Sequence, residues 1–446
     1  MTRFRCGAAW VDGGVVHDVD VAVDDTGRIA SITASEASAG DVVELPGVVL
    51  PGFANAHSHA FHRALRGRTH GDGGTFWTWR DRMYRVARTL DPDSYYRLAR
   101  ATFGEMVLSG VTCVGEFHYV HHSPDGTAYA DPNAMGDAVR AAARDAGLRL
   151  TLLDTCYLTG GLGPDGHLPL DPDQLRFTDG DAHAWAERFH LLADDATTRV
   201  GAAIHSVRAV PRDSIPTVVA AAADRPLHVH LSEQVAENTT CRQFYGVTPT
   251  RLLDDTGALG PMTTAVHATH LTDEDIATLG RTRTFSCFCP TTERDLADGI
   301  GPASELRDAG SPLCLGSDQQ AVIDLIEEAR GLEMHDRLVS HERGRHQPAE
   351  LMAALTEQGH RSLGWTDAGR IAVGQRADLV AVRLDTVRTA GSRPEQVLLS
   401  AFAADVDTVV VDGRVVVSGG VHRSFDVAAE LDGAIRQVWD DEAAAR

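Results

Sequence analysis

The stretch Val48-Val49-Leu50-Pro51-Gly52-Phe53-Ala54-Asn55-Ala56-His57-Ser58-His59 joins an apolar run to two histidines that one serine separates. The apolar run predicts a buried strand over residues 48–54, and residues two apart in a strand point to the same side. His57 and His59 therefore direct two imidazoles at one point, where the strand ends. Neutral imidazole is a good ligand for Zn²⁺, so the stretch indicates a metal site that needs further ligands from elsewhere in the chain.

The middle of the chain alternates short apolar strands with helical patterns such as 93–109, 134–146, 181–194 and 213–223. Eight strands, each followed by helical sequence, predict an α/β protein with a TIM-like (β/α)8 barrel over residues 48–368. Catalytic residues of such barrels lie at the carboxyl ends of the strands. The predicted strands are 48–54, 111–117, 149–154, 199–205, 226–231, 264–268, 284–288 and 312–316.

Both ends of the chain are rich in strand patterns. Residues 1–47 contain them at 15–23 and 28–32, and residues 369–425 contain them at 378–382 and 408–417, where Asp412-Gly413 is a hairpin turn signal. We expect the two ends to build one small composite β-sandwich beside the barrel. A C-terminal helix is expected over residues 426–446.

The charge and composition exclude several kinds of function. The 446-residue chain has a net charge of −22 and contains no lysine, so all 41 basic residues are arginines. This excludes a Schiff-base lysine, a P-loop lysine and a carbamylated lysine that bridges two metals, and a single metal ion is therefore expected. Nucleic acid and anionic membrane both require a basic surface and are not expected as partners. A small anionic substrate must be bound by local arginines, because the overall electrostatic potential of the acidic protein repels it.

Cysteine usage and hydropathy indicate a cytoplasmic enzyme. The seven cysteines are scattered, with only Cys287 and Cys289 close together, which is typical of reduced thiols. No apolar run approaches the roughly 18 residues of a membrane span. Residues 1–5 run quickly into Asp-rich sequence without the apolar segment of a signal peptide.

Residues that bind metals or transfer protons recur at the ends of the predicted strands. A buried histidine on one strand is more often a hydrogen-bonded core residue than a ligand. Five strand ends that carry such residues in order are difficult to obtain by chance, so they predict one catalytic metal centre. After His57 and His59, these residues are His205, His230, Glu233, His267 and Asp318.

The same motifs resemble those of the amidohydrolase superfamily, in its deaminase branch. The matching motifs are the Pro51–His59 run, His230-x-x-Glu233, His267 and Gly316-Ser317-Asp318, and the resemblance covers nearly the whole chain because the family also has the composite sandwich. It implies one Zn²⁺ per chain, held by His57, His59, His230 and Asp318.

The resemblance also implies catalytic roles. Glu233 transfers protons, His267 holds and polarises the attacking hydroxide, and Asp318 first takes a proton from the metal-bound water. The chemistry requires these groups, because zinc lowers the pKa of bound water to near 7 and a poor amine leaving group needs a general acid.

A closer resemblance is to the formimidoylglutamate deiminases of this superfamily. It rests on His57–Phe61, on Thr75–Arg80 with Met83-Tyr84-Arg85, on Gly115–His122, on His267–His270 and on Cys289–Glu293. It implies hydrolysis of N-formimino-L-glutamate to N-formyl-L-glutamate and ammonia, in histidine degradation, by an enzyme that is often a homodimer. Arg208 and Arg85 would bind the substrate carboxylates, and His205 and Tyr119 would lie beside the formimino end.

Two departures from that pattern leave other substrates open. His62 stands where relatives usually have Gln, and Gln319-Gln320 stands where they usually have Ser-His; both positions are expected to border the substrate. The alternatives are a deaminase of another imine or amidine, a deaminase of an aromatic heterocycle such as guanine, and a non-catalytic metal-binding scaffold. Paired arginines favour a dianionic substrate over a neutral ring.

Overall fold

The computed structural model describes residues 2–35, 42–69 and 74–444. Met1, residues 36–41 of the predicted N-terminal part and residues 445–446 of the predicted C-terminal helix lie outside the described residues. The strands, in chain order, are β1 (Thr2–Val11), β2 (Gly14–Val23), β3 (Ile29–Ala34), β4 (Val43–Pro51), β5 (Phe53–Ser58), β6 (Val111–His118), β7 (Arg149–Cys156), β8 (Gly161–Gly163), β9 (Gly166–Leu168), β10 (Thr198–Ser206), β11 (Leu227–Leu231), β12 (Thr263–His267), β13 (Phe285–Phe288), β14 (Leu313–Leu315), β15 (Leu379–Val382), β16 (Val406–Val411), β17 (Arg414–Ser418) and β18 (Val421–His422).

Helices connect these strands. They are α1 (Phe76–Thr89), α2 (Pro92–Leu108), α3 (Ala134–Ala146), α4 (Ala182–Phe189), α5 (Ile215–Ala222), α6 (Val235–Tyr245), α7 (Pro249–Asp255), α8 (Asp273–Thr282), α9 (Pro290–Asp295), α10 (Ala303–Ala309), α11 (Leu325–Ser340), α12 (Pro348–Ala353), α13 (Gly359–Ser362) and α14 (Val427–Ala444). Within the described ranges, no helix is both long enough and apolar enough to cross a membrane.

The predicted barrel is confirmed. Strands β5, β6, β7, β10, β11, β12, β13 and β14 form one sheet in that order, and every adjacent pair is parallel. A parallel bridge between Ser58 and Asp318 joins the first strand to the residues that follow the last one. The strands are buried along nearly their whole length, as expected when side chains fill the barrel and helices cover it.

The second sheet confirms that both termini build one β-domain. Its eight strands follow the order β18-β17-β16-β15-β4-β1-β2-β3, so β4 lies between a strand from each end of the chain. The sheet encloses a separate apolar core, to which Phe4 and Val21 contribute from one end and Leu379 and Val410 from the other.

The first predicted strand, 48–54, is wrong in its extent because it spans two sheets. Val48 and Val49 pair with β1, and Val48–Pro51 pair with β15, so the apolar run belongs to β4 of the terminal sheet. The barrel strand starts at Phe53. Gly52 lies between the two strands, and only glycine fits there, because a Cβ would lie 2.3 Å from Thr112 Oγ1 and 2.7 Å from Asp378 Cβ.

The other predicted elements agree closely with the structure. The hairpin at Asp412-Gly413 joins β16 to β17, and α3 has the predicted bounds. Helix α4 ends at Phe189 although its predicted extent reached residue 194. Its end is explained by the Ala193-Asp194-Asp195 segment, in which Asp194 and Asp195 accept hydrogen bonds from the backbone at the start of β10 instead of continuing the helix.

A buried ion pair holds the two sheets together. Arg149, at the start of β7, donates from Nη1 to Asp378 Oδ1 at 3.0 Å and to Asp412 Oδ1 at 3.1 Å, and it also donates from Nη2 to Asp378. The side chains of Arg149 and Asp378 are each 1% exposed. Burial alone would raise the pKa of Asp378, but Arg149 outweighs it and the pKa is lowered, so the carboxylate stays charged.

We predict that Arg149→Met lowers the free energy of unfolding by about 3–5 kcal/mol, because it leaves the buried Asp378 carboxylate without its cation. The measurement is chemical denaturation followed by circular dichroism. Arg436→Met is the control, since the Arg436 side chain is 69% exposed in its pair with Asp432; a change within about 0.5 kcal/mol is expected there. Equal effects of the two substitutions would contradict this role of Arg149.

Candidate active site

The carboxyl ends of the barrel strands bring four predicted metal ligands to one point. Asp318 Oδ1 lies 3.4 Å from His57 Nε2 and 3.5 Å from His59 Nε2. His230 Nε2 lies 3.2 Å from His57 Nε2. Two nitrogens that bind one tetrahedral zinc at about 2.0–2.1 Å are themselves separated by a little over 3 Å, so these spacings suit a shared ion.

The hydrogen bonds of the imidazoles set which nitrogen can bind a metal. His59 Nδ1 donates to the Phe117 carbonyl at 3.0 Å, and His230 Nδ1 donates to the His205 carbonyl at 2.9 Å. We therefore assign the proton of both rings to Nδ1, which leaves a lone pair on each Nε2. His57 Nδ1 is buried without a hydrogen-bond partner among the described residues.

Burial keeps these imidazoles neutral. It lowers the pKa of His57 and of His230 well below the usual value, and it lowers the pKa of His59 to about 3. Neutral imidazole is the form that binds metals. Three such rings and one carboxylate are a donor set that fits a single divalent cation such as zinc.

The backbone at the strand ends is unusual for side chains of this size. Asp318 has φ of +44°, His267 has +69° and Ser232 has +53°. Left-handed backbone costs about 1–3 kcal/mol for such residues and persists where surrounding contacts hold it. Asp318 is held on both sides, since its N–H donates to the His57 carbonyl and its carbonyl accepts from the His59 N–H, both at 3.0 Å.

Gln320 supports the metal ligands from behind. Its Nε2 donates to Ser58 Oγ at 2.9 Å and to the Asp318 carbonyl at 2.7 Å. Ser58 in turn donates to Glu116 at 2.7 Å, and burial raises the pKa of Glu116 to about 8. The prediction that Gln319 and Gln320 border the substrate is therefore corrected: neither lines the cavity, and the Gln319 amide donates to Asp295 at 2.6 Å.

The predicted proton-transfer residues lie beside the same point. His267 Nε2 lies 3.8 Å from both Glu233 Oε1 and Asp318 Oδ2. On its other side, His267 Nδ1 lies 3.4 Å from Glu293, which sequence reasoning did not assign a role. Burial alone would lower the pKa of His267, but Glu233, Glu293 and Asp318 outweigh it and raise the pKa to about 10.

A cavity of about 230 Å³ opens above these residues. Its wall includes the predicted substrate residues His62, Tyr119 and His205, together with aromatic rings from α1. His62 Nε2 and the Tyr119 hydroxyl are 3.0 Å apart, and the His62 Nδ1 atom is buried with no hydrogen-bond partner in the described ranges. The volume suits a small metabolite, since pockets for drug-sized ligands start near 300 Å³.

Two arginines face this cavity. Arg208 Nη2 lies 3.2 Å from Glu233 Oε2, and Arg208 Nε lies 3.1 Å from Glu237 Oε2. Arg80 lines the wall formed by α1, where its guanidinium lies 4.6 Å from the centre of the Trp77 ring. The Arg80 Nε atom is buried and makes no hydrogen bond to any described residue.

The prediction that Arg85 binds substrate is corrected, because α1 turns this side chain to its exposed face and it does not line the cavity. The helical period explains the difference. Phe76, Arg80 and Tyr84 are four residues apart and lie on the cavity side of α1, whereas Arg85 is five residues after Arg80 and faces away from the cavity. This spacing was the signal that could have identified Arg80.

A second cluster, His118, His121 and Asp154, resembles a metal site, but its carboxylate is already paired. Asp154 accepts from Arg188 at 2.8 and 3.0 Å and from Trp185 Nε1 at 2.9 Å. An arginine in that position opposes a second cation, so we assign the cluster a structural role.

Comparisons with known proteins show what the chain is similar to. The model of the amidohydrolase family matches residues 48–416. A formimidoylglutamate deiminase of Pseudomonas aeruginosa is 36% identical over 434 residues, which are 93% of this chain and 94% of that protein. An 8-oxoguanine deaminase of the same organism is 32% identical over 86% of this chain and 85% of its own. The crystal structure of an amidohydrolase from Brucella melitensis has 30% identity and a TM-score of 0.91, and covers 98% of this chain and 100% of its own.

We predict close to one tightly bound divalent metal per chain, and we expect His230→Asn to remove most of it, because the cluster then lacks one of its ligands. Metal analysis of the purified protein by mass spectrometry is the measurement. His121→Asn is the matched control, since it alters the buried histidine of the second cluster and should leave the metal content unchanged. Two tightly bound metals per chain, or equal metal loss in both variants, would contradict the assignment.

Proposed function

The chain belongs to the amidohydrolase family, and from this premise we propose that it hydrolyses N-formimino-L-glutamate to N-formyl-L-glutamate and ammonia, as a zinc enzyme of histidine degradation. It is a hydrolase that acts on carbon–nitrogen bonds. The observation that carries the proposal of substrate is the pair of arginines, Arg208 and Arg80, in one small cavity with the metal-ligand cluster.

The reaction replaces the imino nitrogen of the formimino group with the oxygen of water. A zinc ion held by His57, His59, His230 and Asp318 supplies the polarisation that makes water nucleophilic at neutral pH. A proton must then leave the attacking water, and the nitrogen must gain protons to depart as ammonia.

Glu233 is placed to move that proton. Its Oε1 lies 3.8 Å from His267 Nε2, and its Oε2 faces the Arg208 guanidinium at 3.2 Å. The carboxylate therefore lies between the metal-ligand cluster and the substrate-binding arginine. In this position Glu233 carries protons to the leaving nitrogen, with Asp318 as the first acceptor of a proton from water, while His267 donates a hydrogen bond to the attacking oxygen.

The two arginines match the two carboxylates of the substrate. Guanidinium pairs with carboxylate through two parallel hydrogen bonds, and a chain with a net charge of −22 needs such local cations to attract an anion. The α-carboxylate is the nearer one to the reacting carbon, so we assign it to Arg208, which contacts Glu233. Arg80, on the wall formed by α1, then binds the side-chain carboxylate.

The formimino end is assigned to the side of the cavity that holds Tyr119 and His205. The Tyr119 ring centre lies 5.3 Å from that of His59 and 5.7 Å from that of His205. His62, where relatives usually have Gln, presents an imidazole to the Tyr119 hydroxyl at 3.0 Å. An imidazole at this position still offers one donor and one acceptor, which are the groups an amide would supply.

A second candidate is deamination of an aromatic heterocycle. It is favoured by the aromatic wall, in which Phe76, Trp79 and Tyr84 line the cavity and could stack on a ring. A neutral ring does not account for two guanidiniums in the same cavity. The complete set of Glu233, His267 and the metal ligands argues against a non-catalytic scaffold.

An ammonia-release assay of the metal-loaded protein tests the proposal, with N-formimino-L-glutamate, guanine, 8-oxoguanine and cytosine as substrates. We expect turnover of N-formimino-L-glutamate at a kcat/KM at least about 10³-fold above that of any of the rings, since only the dianion uses both arginines. Preferred turnover of a ring would replace the proposal with the second candidate, and no ammonia from any compound would support the scaffold.

We predict that Glu233→Gln lowers kcat by a factor on the order of 10² to 10⁴, because glutamine keeps the shape but cannot transfer the proton. Metal content should stay at the wild-type level, and its measurement separates loss of chemistry from loss of metal. Glu342→Gln serves as the control on an exposed side chain and should leave kcat unchanged. Near-normal turnover of the metal-loaded Glu233→Gln protein would remove Glu233 from the mechanism.

We predict that Arg208→Met and Arg80→Met each weaken kcat/KM for N-formimino-L-glutamate by about 2–5 kcal/mol, because a buried carboxylate loses its charged partner. Each loss should disappear with the matching truncated compound: N-formimino-4-aminobutanoate, which lacks the α-carboxylate, for Arg208, and N-formimino-L-2-aminobutanoate for Arg80. Arg85→Met is the control from the exposed face of α1. Equal losses on full and truncated compounds would show that the arginines are structural.

A further inference from the structure

Glu237 is a buried carboxylate on the cavity wall that the mechanism above does not use. It lies in the first turn of α6, and only 1% of its surface is exposed. Burial raises its pKa, while Arg208 opposes that shift. A buried carboxylate needs a partner that compensates for the loss of water, so its contacts indicate what it does.

The two oxygens of Glu237 reach two different parts of the site. Oε2 lies 3.1 Å from Arg208 Nε. Oε1 accepts a hydrogen bond from the backbone N–H of Ser232 at 3.0 Å. Ser232 has φ of +53° and directly precedes Glu233, so this bond holds the turn that presents Glu233 to the cavity.

Arg208 therefore lies between two carboxylates, Glu237 at Nε and Glu233 at Nη2. The contact between Arg208 Nε and Glu237 Oε2 is an ion pair without hydrogen-bond geometry, since neither atom has a hydrogen-bond partner among the described residues. A guanidinium is a rigid plane, so a fixed negative charge at its Nε edge biases the direction in which its other N–H groups point. Arg208 Nη2 already donates to Glu233 Oε2 at 3.2 Å, and without the negative charge of Glu237 at Nε the guanidinium would turn further towards Glu233.

We propose that Glu237 is a positioning residue, which sets the substrate-binding face of Arg208 and keeps Arg208 from pairing fully with Glu233. The inference rests on the proposed function. It adds that recognition of the α-carboxylate and presentation of Glu233 share one anchor. Glu237 acts through Arg208 and need not touch the substrate.

Glu237→Gln is the decisive variant, because glutamine keeps an oxygen for the Ser232 N–H and removes the negative charge beside Arg208. The quantity to measure is the ratio of kcat/KM for N-formimino-L-glutamate to that for N-formimino-4-aminobutanoate, which lacks the α-carboxylate. We expect this ratio to fall by roughly 10- to 100-fold, mainly through KM of the full substrate, as for loss of a hydrogen-bonded charged contact.

Asn238→Ala is the matched control. Asn238 accepts a hydrogen bond from Ser232 Oγ at 2.8 Å, so it holds the same turn through a different contact that does not involve Arg208. A role in the turn alone changes kcat for both compounds and leaves their ratio at the wild-type value. We expect that behaviour of Asn238→Ala and not of Glu237→Gln.

A double-mutant cycle completes the test. If Glu237 acts through Arg208, Glu237→Gln has no further effect on the ratio in an Arg208→Met background. An additional loss of the ratio there would show that Glu237 does not act through Arg208, and an equal loss on both compounds in the single variant would indicate a role in the turn alone; either result would overturn the proposal. Should Glu237→Gln fold poorly, Glu237→Asp withdraws the charge from Arg208 and is expected to lower the same ratio; an unchanged ratio in the variant that folds overturns the inference.

The two proposals fail in different ways. Wild-type protein that releases no ammonia from N-formimino-L-glutamate removes both. Wild-type turnover together with an unchanged ratio in Glu237→Gln removes the role of Glu237 and leaves the proposed function intact.

Discussion

The closure of the barrel between β5 and the residues after β14 is the interaction on which the site depends. Asp318 and the His57–His59 segment exchange two backbone hydrogen bonds, each of 3.0 Å. The residues that close the barrel are thus the residues that present its metal-binding atoms. The Asp318 carboxylate reaches the imidazoles of His57 and His59 only when the first and last strands have met, so assembly of the site requires closure of the barrel.

Around that junction, buried polar and charged side chains are paired in small groups. Gln320, Ser58 and Glu116 form a chain of hydrogen bonds behind the histidines, Glu293 lies behind His267, and Glu237 lies behind Arg208. The metal-binding histidines, His267 and Arg208 thus each have a polar or charged partner behind them. Such support is what holds catalytic groups in a productive geometry before the substrate arrives.

Much of the architecture followed from local pattern, and the errors concern features that a local pattern does not encode. The strand and helix patterns predicted the barrel and the terminal sheet, and the order of histidines and carboxylates along the strands predicted which side chains meet. The apolar run at 48–51 was assigned to the barrel because burial in either sheet produces the same pattern. Arg85, and not Arg80, is predicted at the substrate, and Gln320 is expected there too, since a residue type does not reveal which way its side chain points. The roles of Glu237 and Glu293 were not predicted. Their partners are either distant in sequence, as Arg208 is from Glu237, or are backbone atoms, and a sequence pattern shows neither kind of contact.

The placement of β4 between β1 and β15 has a consequence for synthesis of the protein on the ribosome. The first four strands emerge early, but β15, which covers the free edge of β4, is made only after the whole barrel has been translated. Until then β4 exposes an apolar strand with unpaired backbone groups, which is the kind of edge that recruits other chains. During most of translation, the nascent chain therefore carries an N-terminal sheet in which the edge of β4 is unpaired. A fragment released when the ribosome stalls within the barrel is prone to aggregate.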